Sequence, residues 1–148
     1  MRLLLEIIDG IQSVWPQNLP LFVRISATDW AEGGWNEDES VQLAQILKNK
    51  GVDLIDCSSG GLVSHQKIPV GPGYQVRFAE RIKKETGILT GAVGLITETQ
   101  QAEDILIKGQ ADLIIIARTS LRDPYFPLHA AKILGEGITW PKQYERAR

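Results

Sequence analysis

The stretch from Ala111 to Pro124 constrains the fold of this chain more than any other. Leu113 to Ala117 are consecutive apolar residues rich in isoleucine, which is typical of a strand covered on both faces in a parallel sheet. Arg118 follows the strand directly, and a short helical turn leads to Pro124. Backbone N–H groups at the carboxyl end of such a strand are free to bind anions. We therefore expect a phosphate-binding site at this strand end.

The rest of the chain alternates helices with strands. A stripe of apolar residues at helical spacing predicts an opening amphipathic helix, on Leu4, Ile7, Ile8 and Ile11. Three further apolar runs predict strands, at Leu21–Ser26, Val52–Cys57 and Ile88–Gly94. Helices are expected between them, two with capping boxes at their starts, formed by Asn36 with Glu39 and by Thr97 with Gln100.

This order predicts the α/β fold class, in one domain of four parallel βα units. A weak internal repeat supports equal units, because Lys50–Ile55 resembles Lys108–Ile114 two units later. Four units are half of an eight-stranded (β/α)8 TIM barrel, in which the loops after the last two strands hold phosphate. We therefore expect a half-barrel whose phosphate-binding site lies in its last two units.

Composition excludes several classes of partner. A formal net charge of -2 gives no electrostatic reason to expect nucleic acid or an anionic membrane. The apolar segment Met1–Ile11 carries Arg2, Glu6 and Asp9, which a membrane span or the apolar region of a signal peptide would not contain. No membrane association is expected.

Cysteine and histidine usage is equally sparse. Cys57 is the only cysteine, so no intramolecular disulfide can form and a cytoplasmic location is expected. At the end of its strand Cys57 is either a buried inert thiol or a reactive one. His65 and His129 show no metal-ligand spacing to each other or to carboxylates, so no metal site is predicted.

Arg24 and the serines near the second strand end are candidate ligand-binding residues. A guanidinium within an apolar strand needs an anionic or carbonyl partner. A structural salt bridge from Arg24 to Asp56 is one interpretation, and a bound anion is the other. Ser58 and Ser59 either donate to a ligand or cap the next turn. Gly91 and Gly94 would let backbone N–H groups approach a phosphate that Arg118 also contacts.

These motifs together resemble the C-terminal half of the Old Yellow Enzyme family, in its thermophilic-like branch of NADPH dehydrogenases that hold FMN. The resemblance covers nearly the whole chain and rests on six segments, Leu3–Ile11, Leu21–Ser26, Gly51–Gly60, Pro72–Val76, Thr90–Gly94 and Gln143–Arg146. It implies that the chain forms βα units five to eight of the barrel, followed by a C-terminal tail over 141–148. The resemblance thus gives this tail a role of its own, which rests on Arg146.

The resemblance also implies roles for individual residues. Arg24 would contact the pyrimidine side of the flavin and stabilise the anionic reduced ring. Gly94, Ala117 and Arg118 would hold the FMN phosphate, with Ala117 standing where many members have glycine. Ser58 would lie near the cofactor. In this branch the counterpart of Arg146 reaches across a dimer interface into the neighbour's active site.

By resemblance the full enzyme passes hydride from NADPH through FMN to an activated alkene. The family's substrate-orienting histidine pair and catalytic tyrosine belong to the N-terminal half, so no catalytic residue is predicted in this sequence. Two hypotheses remain open. In the first, the chain is the FMN-binding part of an ene-reductase. In the second, it is a non-catalytic half-barrel, which either binds FMN or phosphate or serves only in assembly.

A protein partner is expected under either hypothesis, because a half-barrel leaves two strand edges open. Its inner face would also be exposed, and we place on that face Phe22, Val23, Leu54, Ile55, Leu89 and Ile115. The candidates are the N-terminal half of the barrel, a second copy of this chain that completes eight strands, and a swapped and flattened sheet. We expect at least a dimer, since a two-fold dimer is the simplest closed solution for one sequence.

Overall fold

Helices and strands alternate in the computed structural model, which describes residues 1–147. The helices are α1 (Arg2–Gln12), α2 (Glu37–Asn49), α3 (Val76–Thr86), α4 (Thr99–Ile107), α5 (Arg118–Arg122) and α6 (Phe126–Leu134). The strands are β1 (Phe22–Ser26), β2 (Leu54–Ser58), β3 (Leu89–Ala92) and β4 (Leu113–Ile114). A 3₁₀ helix over Lys142–Ala147 forms most of the predicted tail, and Arg148 lies outside the described residues.

The strands form one parallel sheet in chain order, β1-β2-β3-β4. Their register places Arg24 beside Asp56, Asp56 beside Gly91 and Gly91 beside Leu113. A helix follows each strand, which is the arrangement of consecutive units in a (β/α)8 barrel. The predicted α/β class with four parallel βα units is confirmed.

Local hydrogen bonds decide where the helices begin. Asn36 caps α2 by accepting from the backbone N–H groups of Asp38 and Glu39, and the Glu39 carboxylate accepts from the Asn36 N–H, so this capping box is confirmed. The second capping box is wrong. Helix α4 begins at Thr99, and the Thr97 N–H donates instead to the side chain of Gln101.

The sequence repeat corresponds to one pair of hydrogen bonds that occurs twice in the structure. The Asp53 N–H donates to the Leu21 carbonyl, and the Leu21 N–H donates back to the Asp53 carboxylate at 2.8 Å. Asp112 makes the same two bonds with Thr90, the return bond being 2.9 Å long. Each aspartate therefore lies directly before its strand, since β2 begins at Leu54 and β4 at Leu113, and it helps to fix the register with the preceding strand.

Within residues 1–147, the helices cover one face of the sheet and leave the other open. On the covered face lie the strand residues of the core, Val23, Ile25, Ile55, Cys57 and Ala92, which join Leu47, Phe78 and Ile82 of the helices. Our placement of Val23 and Ile55 on the inner face is therefore wrong, because side chains alternate between the two faces.

The opposite face, which we call the inner face, carries Phe22, Arg24, Leu54, Asp56, Leu89, Gly91, Leu113 and Ile115. Phe22 and Leu89 are each 52% exposed and Leu113 is 43% exposed. The prediction that the last strand is covered on both faces is thus wrong for this chain. Strand β4 is also shorter than expected, since its ladder ends at Ile114.

Helix α1 presents a different stripe from the predicted one. Ile8 is buried, with Leu4 and Leu5 packed partly against the core, whereas Ile7 is largely exposed. The apolar residues of this helix therefore extend around more than one face, and only part of them reaches the core.

We predict that the chain self-associates at micromolar concentration, because the inner face exposes contiguous apolar side chains and β1 and β4 are open edges. Size-exclusion chromatography with light scattering should give at least twice the 16.4 kDa of one chain. A stable monomer with sharp, dispersed amide resonances would contradict this expectation.

Candidate functional site

The residues predicted to hold a cofactor surround one cavity of about 250 Å³ at the carboxyl ends of the strands. Its wall includes Arg24, Ser58, Gly94, Ala117 and Arg118. Tyr74, Gln75 and Arg122 contribute further side chains, as do segments 93–97 and 115–119. We call this space the strand-end cavity.

Arg24 reaches the cavity while bound to two neighbours on the inner face. Its Nη1 donates to Asp56 Oδ2 at 2.8 Å, and its Nη2 donates to Ser58 Oγ at 3.0 Å. The salt bridge that we considered is therefore present. About half of the Arg24 side chain stays exposed, so the guanidinium retains N–H groups that can donate to a ligand.

Asp56 and Ser58 hold the Arg24 side chain in a defined orientation. Oδ1 of Asp56 is buried and has no hydrogen-bond partner within residues 1–147. Ser58 neither caps the next turn nor points away, since its Oγ accepts from Arg24 beside the cavity. The arginine thus presents a fixed and locally neutralised cation.

Gly94 brings the backbone close to the cavity, and only glycine fits there. Its φ of +127° lies in a region that side chains disfavour. A Cβ atom would lie 3.2 Å from both the backbone N and the Cβ of Gln75. The Gly94 carbonyl accepts from the Gly73 N–H at 2.8 Å, which ties this turn to the loop before α3.

Leu95, the next residue, also has a positive φ, of 51°. Such a conformation in a non-glycine residue persists only where its surroundings enforce it. Gln101 does so here, because its Nε2 donates to the Leu95 carbonyl at 3.1 Å and its Oε1 accepts from the Thr97 N–H. The segment 93–97 is therefore held in an unusual, preformed shape.

Ala117 and Arg118 form the junction between β4 and α5. Ala117 is the N-cap residue of α5, and its φ of -124° is negative, so the position lies outside the left-handed region that favours glycine. Arg118 begins the helix and makes no salt bridge within the described range 1–147. Its guanidinium is available to an anion.

Thr119 links the two loops of the cavity. This residue is buried, and its hydroxyl donates to the Ile96 carbonyl at 3.0 Å. Because Thr119 directly follows Arg118 and Ile96 lies two residues after Gly94, this bond fixes the separation between the glycine and the arginine. No sequence motif marks this bond, because a threonine in a short helix has no distinctive pattern.

Gln75 and Ser59 form a second layer behind the cavity. Trp30 Nε1 donates to Ser59 Oγ at 2.9 Å, and Ser59 Oγ donates to Gln75 Oε1 at 2.6 Å. Gln75 is buried, and its amide donates to the Val93 carbonyl. This series of hydrogen bonds joins the loop after β1, the end of β2 and the turn containing Gly94.

Two of the sequence-based candidates serve other purposes. Gly91 does not line the cavity, and its hydrogen leaves room for the Ile115 side chain, since a Cβ would lie 2.5 Å from Ile115 Cδ1. Cys57 is buried on the helix side of β2. Burial, and to a lesser degree the charge of Asp56, raise the pKa of the Cys57 thiol to about 12.

Arg146 is exposed and does not line the strand-end cavity of its own chain. It lies in the 3₁₀ helix that Tyr144 anchors, with the Tyr144 ring meeting the Tyr125 ring edge-on at a centroid distance of 5.3 Å. The contact of Arg146 with a neighbouring subunit stays a prediction.

Across residues 1–147, no group of three or more histidine, cysteine or carboxylate side chains is arranged to hold a metal ion. Over the same residues, no helix combines the length and the hydropathy that spanning a bilayer requires.

Residues 1–136 match the model of the NADH:flavin oxidoreductase / NADH oxidase family. The chain belongs to this family. It is 56% identical over 146 residues to an NADPH dehydrogenase of Halalkalibacterium halodurans and 51% identical to one of Listeria innocua. Each alignment covers 99% of this chain but 42% of the relative, so the chain spans about two fifths of the length of these curated relatives. The predicted family is confirmed.

Solved structures share the fold. A 2-naphthoyl-CoA reductase in complex with 2-naphthoyl-CoA superposes with a TM-score of 0.80 at 25% identity, over 91% of this chain and 21% of the reductase. Histamine dehydrogenase from Rhizobium sp. 4-9 gives a TM-score of 0.70 at 22% identity, over 88% and 19% of the respective chains. The four βα units are therefore a fold found inside much longer chains.

We predict that native Cys57 resists alkylation by iodoacetamide at pH 8, because the reactive thiolate is scarce far below a pKa of about 12. In denaturant it should label rapidly, as followed by mass spectrometry. A thiol whose pKa is raised by folding stabilises the fold below its unfolded pKa, so this contribution should disappear as the pH rises from about 9 towards 12. Rapid labelling of the native chain would contradict the buried position.

Proposed function

We propose that the chain is the part of an FMN-dependent NADPH dehydrogenase that binds the flavin phosphate and orients the ring. One observation carries this proposal. The strand-end cavity gathers Arg24, Ser58, Gly94, Ala117 and Arg118, which come from four separate segments of the chain. The family match and the relatives named NADPH dehydrogenase support a flavin and NADPH as the reactants.

The cavity has the chemistry that a flavin phosphate requires. Arg118 supplies a cation without a salt-bridge partner in the described chain, and Gly94 lets the backbone come close to phosphate oxygens. Asp56 accompanies Arg24, so the excess positive charge lies at the Arg118 end. We assign the phosphate to that end and the ring to the Arg24 end.

Each residue then has a separate task. Arg118 binds the phosphate, Gly94 gives its oxygens access to the backbone, and Thr119 maintains the spacing between the two. Arg24 donates to the pyrimidine side of the ring, and the Ser58 hydroxyl keeps the guanidinium in place. Bound FMN would supply hydride transfer, taking hydride from NADPH and giving it to an activated alkene.

The same proposal covers the partners of the chain. Residues 1–148 form a single half-barrel domain whose inner face is completed by the other half of the barrel or by a second copy. Arg146 contacts the active site of a neighbouring subunit. The lone cysteine suits a cytoplasmic location.

A second candidate function is a half-barrel that binds FMN or phosphate without catalysis. This second function is favoured by the alignment, which covers only 42% of the length of the curated relative. Purified chain saturated with FMN, mixed with NADPH and cyclohexenone, separates the two functions. Because substrate orientation and acid catalysis contribute many powers of ten, we expect turnover no faster than that of free FMN. Turnover well above that of free FMN would contradict this expectation and identify the chain itself as catalytic.

We predict that Arg118→Ala weakens FMN binding by about 1.5–3 kcal/mol, the value of a hydrogen bond to a charged group. Titration followed by flavin fluorescence measures the affinity. Arg2→Ala is a suitable control, since it also removes an exposed arginine but one paired with Glu6 on α1. Equal FMN affinity in the wild type and in Arg118→Ala would remove the phosphate assignment.

A further inference from the structure

The charge of the strand-end cavity exceeds what a single arginine supplies. Three arginines line it, Arg24, Arg118 and Arg122, and no carboxylate is among its lining residues. Asp56 balances Arg24 from the adjoining strand. Neither Arg118 nor Arg122 makes a salt bridge with any described residue. Two uncompensated positive charges therefore face the same space.

Helix α5 aligns these two cations. Arg118 and Arg122 are four residues apart, which places them on one side of the helix. The Thr119 hydroxyl holds the helix against the Ile96 carbonyl, and the Asp123 N–H closes its end by donating to the Thr119 carbonyl at 2.8 Å. The nearest carboxylate in sequence, Asp123, is already bound to His129 at 2.7 Å. It therefore does not neutralise Arg122 by a direct pair.

We infer that Arg122 is a second cation that binds the phosphate of the ligand, beside Arg118. This inference rests on the proposed function and extends it to a residue that the sequence analysis did not single out. A terminal phosphate monoester carries close to two negative charges at pH 7, whereas each phosphate of a diester or a dinucleotide linkage carries one. Two arginines match the former in charge, with Gly94 leaving room for its oxygens.

The test measures the affinities of FMN and riboflavin for the wild type, Arg122→Gln, Arg118→Ala and the control Arg2→Gln. Riboflavin has the same ring but no phosphate. We expect Arg122→Gln to weaken FMN binding by about three- to tenfold, between the effects of an exposed ion pair and a charged hydrogen bond. Riboflavin affinity should not change. In 1 M NaCl the loss should shrink, because the screening length falls to about 3 Å.

The outcomes separate this inference from the proposed function. FMN affinity that falls in Arg118→Ala but not in Arg122→Gln would overturn the role of Arg122 and leave the phosphate site intact. Equal losses of FMN and riboflavin in Arg122→Gln would also overturn it, since they indicate a general structural effect. Absence of FMN binding to the wild-type chain would contradict the inference and the proposed function together. Thermal unfolding of each variant checks that α5 remains folded.

Discussion

A parallel sheet is stable in water only when both of its faces are covered, and this chain covers one. Helices bury Val23, Ile55 and Cys57 on their side, while Phe22, Leu89 and Leu113 remain exposed on the other. The strand-end cavity lies where the helix-covered face and the exposed inner face meet. Its lining combines residues of the loops after β3 and β4 with Arg24, Ser58 and Ile115, which belong to the inner face.

This division explains how a cavity can be preformed in a chain with an open sheet. The groups that line it are fixed by bonds within loops and neighbouring strands, such as those of Gln101 to segment 93–97 and of Thr119 to Ile96. None of these bonds requires the inner face to be covered. Arg24 is the exception, because its position depends on Asp56 and Ser58, which lie on the inner face. The Arg24 end of the cavity is therefore more sensitive to the covering of the inner face than the Arg118 end.

The sequence predicted the order of the elements and the place of Arg118, because apolar runs and strand ends have clear local signals. It failed where two faces had to be distinguished, since a continuous run such as that around Ile55 contains no alternation to assign. It also failed at Thr97, where a capping pattern was present but the strained Leu95 and the Gln101 side chain shifted the helix start. Arg122 was missed because its significance depends on the length of α5, which no motif marks.

The order of the strands in the sheet is the same as their order in the chain. Each strand therefore meets its partner after a connection of only one helical unit, and Asp53 and Asp112 lock two of these pairings through bonds made at the start of the strand. Structures built from such local pairings fold faster than those that join distant segments. During synthesis, each new βα unit would find the edge of the previous one already formed, so the sheet can grow in the direction of translation.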